Sequence, residues 1–67
     1  MQEDTRPLLA AAIGEVGMGW GHVQRALLNC RRTGRDDVTQ IAVELHGMGV
    51  ALVSIEDRLR RIFASPQ

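Results

Sequence analysis

Two stripes of apolar residues repeating every seven positions set the strongest limit on what this chain can fold into. In the first half, Leu9, Ile13, Val16, Trp20, Val23, Leu27 and Cys30 follow one another at alternating steps of four and three. In the second half, Val38, Ile41, Leu45, Met48, Leu52, Ile55, Leu59 and Ile62 do the same. Such steps keep side chains on one face of an α-helix, and two stripes of this kind pack side by side. No stretch alternates polar and apolar residues as a half-buried strand would. The pattern predicts an all-α chain with a first helix over about 6–32, a turn over 33–36 and a second helix over about 37–63.

The residues around these stripes punctuate them consistently. Thr5 or Asp4 is placed to cap the first helix, with Pro7 in its first turn, where a missing N–H costs little. Arg31 and Arg32 put cations at its negative pole, and Gly34 supplies the stop. Asp36 or Asp37 is expected to cap the second helix, with Gln40 as a capping-box partner. Glu56 with Arg60 and Asp57 with Arg61 form i, i+4 pairs in the favourable order. So short a connection makes the helices antiparallel, a helical hairpin.

Size then raises the question of what completes the core. A chain of 67 residues is a single domain that buries only about 60% of its unfolded surface. Its one cysteine, Cys30, excludes an internal disulfide framework and a multi-cysteine metal site within one chain. Self-association or a partner protein is the remaining source of core. Val43, Val50 and Val53, with Ala42 and Gly49, lie on a flank of the second helix, while Leu8, Met18, Leu28 and Phe63 are apolar outside both stripes. A hairpin cannot cover a seam and a flank at once, so the expectation is a dimer forming a four-helix bundle.

Glycine weighs against long helices. Gly14, Gly17, Gly19, Gly21, Gly47 and Gly49 fall inside them, and at ~1 kcal/mol each relative to alanine they cost about 6 kcal/mol. Close packing is one compensation: Ala10, Gly14, Gly17 and Gly21 keep the spacing of the seam one residue out of phase, making a small-residue groove. The tripeptide Gly-Met-Gly occurs at 17–19 and at 47–49, and reflection about Gly34 puts both at one level. The alternative is that the glycines break the helices. Residues 41–62 then resemble in outline a helix-turn-helix DNA reader, with Gly47 five residues after Ala42 instead of the usual four. The zero net charge and the acidic Glu56 and Asp57 on the presumed reading helix disfavour that reading, because phosphate contacts dominate DNA affinity.

Chemistry-bearing residues are sparse. His22 and His46 reflect onto one level, with Glu15 and Glu44 within a turn or two, but no metal-ligand spacing is present and no metal or cofactor is expected. Cys30 occupies a seam position, where a thiol behaves as a small hydrophobe. No nucleophile motif or phosphate-cradling loop occurs, so an enzyme is not expected. Arg31, Arg32 and Arg35 cluster at the turn and are candidates for electrostatic contacts. Candidate contacts for a partner or a second copy are Met18, Trp20, Val43, Gly49, Val50, Val53 and Phe63.

Glu15, His22, Glu44 and His46 interrupt every apolar run that approaches a membrane span, and Glu3 and Asp4 stand where a signal peptide carries positive charge. The expected setting is the cytoplasm. In size and pattern the chain resembles the small helical hairpins found among phage-encoded inhibitors of host regulators and type III secretion co-chaperones. The expected function is a non-enzymatic protein–protein interaction module, an adaptor, inhibitor, antiactivator or co-chaperone, docking through apolar helix faces.

Overall fold

The computed structural model describes residues 5–65. Glu3 and Asp4, to which the sequence assigned charge and capping roles, lie outside them. Two helices make up the fold, α1 over Arg6–Arg32 and α2 over Asp36–Ala64, packed against each other with no strand among the described residues. They run antiparallel: Arg6 lies over the Phe63 ring at one end, and Arg31 and Thr39 line one hollow at the other. The result is a rod of 56 × 14 × 14 Å. Both helices continue through their glycine clusters, so α2 contains no turn of the kind a helix-turn-helix reader needs within 41–62.

Local chemistry explains the ends. Thr33 Oγ1 donates to the Cys30 carbonyl at 2.7 Å, and the Gly34 amide donates to the Arg31 carbonyl at 3.3 Å. Gly34 then reverses the chain at φ +64°, a conformation only glycine adopts without strain. The caps differ from expectation. Thr5 stands at the N-cap of α1 without a side-chain bond, and Arg35, in place of an aspartate, stands at the N-cap of α2. Helix α2 begins one residue earlier than expected, which moves Asp36 and Asp37 inside its first turn. There their charges oppose the positive helix pole. Asp37 accepts both Arg35 guanidinium hydrogen bonds, at 2.7 and 3.1 Å, and the Val38 amide at 2.9 Å. Glu56–Arg60 and Asp57–Arg61 pair as expected, at 3.7 and 2.7 Å.

The interhelical seam corrects the sequence reading of α2. The buried and half-buried positions are Val38, Ala42, Leu45, Gly49, Leu52, Glu56, Leu59 and Phe63. Val38, Leu45, Leu52 and Leu59 were expected there. Ile41, Met48, Ile55 and Ile62 were expected there too, yet each is exposed, by 53%, 56%, 41% and 58%. The cause is close approach. Ala42 and Gly49 are small enough for α1 to lie nearly on the α2 backbone, and a Cβ on Gly49 would already touch Val23 Cγ1 at 3.5 Å and Gln24 Nε2 at 3.6 Å. Glu56 folds over Gly17, its Oε1 3.0 Å from where a Cβ would stand. Rotating α2 toward its small residues turns the larger ones outward.

The same contacts shift the expected register. Gly19 meets Leu52, and Gly49 meets Val23 and Gln24, so the two Gly-Met-Gly tripeptides are not level. Hydrogen bonding that runs on through Thr33 delays the reversal and moves the mirror point past Gly34.

Candidate functional site

The seam leaves α2 with two outward flanks of different character. On one flank, Ile41, Met48, Ile55 and Ile62 form a stripe repeating every seven residues, ~32 Å long at 1.5 Å per residue. By helical phase, Ala12, Gly19 and Ala26 of α1 lie along the same side, all half-buried. Glu44, Ala51 and Arg58 edge the stripe on α2, and Glu15 and His22 edge it on α1.

The opposite flank is a row of shallow hollows. Trp20 is 41% exposed and stands between two of them. One is lined by Val16, Gly17, Leu52, Val53 and Glu56, the other by Gln24, His46, Gly49, Val50 and Val53. Trp20 was expected in the seam, yet it stands partly exposed at the seam's edge, lining both hollows. A further hollow joins Arg31, Thr39, Val43 and His46.

The candidate contact residues divide accordingly. Trp20, Val43, Val50 and Val53 gather on the hollowed flank, and Met18 is exposed on the outer face of α1. Gly49 is buried in the hairpin's own contact, and Phe63 is half-buried beneath the Arg6 guanidinium, 4.8 Å from the ring centroid. Arg31 lines a hollow and Arg32 is exposed, while Arg35 is tied to Asp37. The stripe at 41, 48, 55 and 62 was missed as a surface because its phase matched a seam.

His22 and His46 do not converge. His46 shares a hollow with Gln24, and His22 lies about 160° around α1 from Gln24. Among the described residues, no group of three or more His, Cys, Asp or Glu side chains assembles to hold a metal. The hairpin fills the small-residue groove on α1 only in part: Glu56 covers Gly17, whereas nothing lies within 4 Å of a Cβ built on Gly14 or Gly21.

Surface area states the imbalance most directly. The chain exposes 5486 Å², whereas a compact monomer of 7.4 kDa exposes about 4200 Å². Its radius of gyration is 15.9 Å, against about 11 Å for a compact domain of this length. Among the described residues, eleven large hydrophobics are exposed and only Ile13, Leu27 and Ala42 form the buried core. By length and composition α2 is also apolar enough to cross a membrane, and only 11% of its most apolar window is buried.

Compared with known proteins, the chain matches no family model, no curated protein and no solved structure.

Proposed function

We propose that the chain is a non-enzymatic protein–protein interaction module that pairs with a second copy as a four-helix bundle and presents its remaining apolar flank to a partner protein. The observation that carries this reading is the excess of about 1300 Å² of surface over a compact monomer, together with eleven exposed large hydrophobics among the described residues, eight of them on the two flanks. An excess of that size exceeds the ~800 Å² that each partner contributes to a standard interface. A rod with three buried hydrophobics among its described residues and about 6 kcal/mol of helix-glycine cost gains most from covering the excess.

Trp20 supports the second half of the reading. A half-exposed indole between hollows, with Val50 and Val53 beside it, is the anchor geometry of a helix-in-groove contact. Arg31 and Arg32 at the end of that flank would orient an acidic partner. Such a module would work in water, and we place it in the cytoplasm.

The test has two arms. Sedimentation equilibrium of the purified chain reads the dimer. Affinity capture from the source lysate with and without nuclease, with wild type and Val53→Asp in parallel, reads the partner. A dimeric mass and a stoichiometric protein lost on Val53→Asp support the reading. A monomer that recovers nucleic acid and no protein would overturn it in favour of a DNA-binding regulator.

A further inference from the structure

We infer that two copies pack α2 against α2, antiparallel about a two-fold axis passing beside Ala51, with Glu44 of each copy opposite Arg58 of the other. The inference rests on the self-association proposed above and specifies its face, direction and register.

The argument starts from the double seam of α2. Val38, Leu45, Leu52 and Leu59 are half-buried against α1 through one edge only. Ile41, Met48, Ile55 and Ile62 adjoin them on the outer edge and are exposed. Together the two rows make a complete a/d pattern that α1 leaves uncovered, in addition to the one it covers. A helix with two overlapping seams belongs between two neighbours, and the hairpin supplies one.

Antiparallel self-packing pairs each row with the other row of the second copy. Centred on residue 50, it stacks Val38 on Ile62, Ile41 on Leu59, Leu45 on Ile55 and Met48 on Leu52, each layer occurring twice by symmetry. Every layer is apolar. The positions flanking this seam on the side away from α1 are Glu44, Ala51 and Arg58. In that register they place Glu44 against Arg58, Ala51 against Ala51 and Arg58 against Glu44. Opposite charges meet at both ends and the smallest side chain sits at the axis, where the helices come closest.

The neighbouring registers are poorer. Sliding by a heptad in either direction leaves three apolar layers in each half instead of four, and separates Glu44 from Arg58. Glu44 and Arg58 are also exposed and take part in none of the ion pairs among the described residues, unlike Arg35, Glu56, Asp57, Arg60 and Arg61. They are therefore available to pair across copies.

Charge reversal tests the register on the full chain. Glu44→Arg and Arg58→Glu each place like charges opposite one another twice per dimer, and each should weaken self-association at least about tenfold at low salt. Mixing the two variants makes opposite charges meet again, so an equimolar mixture should form the heterodimer at near wild-type affinity, read by native mass spectrometry. Both sites are exposed, and helicity by circular dichroism confirms that each variant folds. Singles that dimerise as wild type does, or a mixture that fails to recover, would overturn the register. Val50→Arg, on the opposite flank, should leave the dimer intact. If it alone abolishes the dimer, the interface lies on the Trp20 flank and the inference falls while self-association stands. A wild-type monomer removes both.

Discussion

Exchanging Met48 for glutamine separates an isolated hairpin from an assembled one with little disturbance of anything else. Both side chains are unbranched, of similar length and good helix formers, so helix propensity barely changes. Met48 is 56% exposed in the hairpin, and a surface exchange of this kind shifts hairpin stability by less than about 0.5 kcal/mol. In the dimer the same side chain covers Leu52 of the second copy. About half of a methionine surface, roughly 100 Å², is withdrawn from water there, worth ~2.5 kcal/mol at 25 cal/mol/Å². Glutamine forfeits most of that and brings an amide into an apolar layer. The layer occurs twice, so the dimer should lose about 4 kcal/mol, roughly a thousandfold in Kd. Sedimentation equilibrium over a concentration series measures Kd, and helicity measured beside it reports folding. A Kd within threefold of wild type would refute the reasoning, because Met48 would then lie outside any self-contact.

Four further outcomes follow from the same geometry. Leu27 is 4% exposed, the most buried large side chain described, and Leu27→Ala should cost about 2–4 kcal/mol in chemical denaturation; a loss below 1 kcal/mol would mean the seam is looser than described. Gly14→Ala, Gly21→Ala and Gly47→Ala meet nothing within 4 Å, so each should stabilise by up to about 1 kcal/mol and raise Tm. Destabilisation at any of the three would reveal a helix of another molecule packed against that backbone. Trp20→Ala should abolish partner capture while leaving the dimer mass unchanged, read by affinity capture and light scattering, and loss of the dimer would place the indole in the self-contact instead. The expressed chain should remain in the supernatant after high-speed centrifugation; recovery with membranes resistant to alkaline extraction would mean that lipid covers the apolar face of α2.

Much of the fold was legible because two signals agreed. The heptad spacing identified both helices, and Gly34 with the paired Arg and Asp residues located the turn to within a residue. The face of α2 was not legible, for a specific physical reason. Counting large apolar residues selects Ile41, Met48, Ile55 and Ile62 as a seam, whereas helix packing rewards close approach and selected Ala42 and Gly49. Both choices share Leu45, Leu52 and Leu59, so spacing alone could not separate them. A polar residue gave the only hint the wrong way: Glu56 shares the phase of Ala42 and Gly49, and its place over Gly17 depends on the absence of a Cβ there. The caps misled similarly, since Arg35 takes the N-cap position without a side-chain bond and Asp37, inside the first turn, binds both the Arg35 guanidinium and the Val38 amide.

The candidate site was half legible. Val43, Val50 and Val53 stood out because they lie outside the seven-residue pattern, and all are exposed. The Ile and Met stripe stayed hidden because it lay inside that pattern. Histidine convergence failed on helical phase, a property that reflection about a turn does not capture.

The mass of the purified chain at micromolar concentration is the most direct measurement. Sedimentation equilibrium is predicted to give twice 7.4 kDa, falling toward the monomer on dilution. A mass of 7.4 kDa at every concentration, with helicity retained, would contradict the pairing of two hairpins.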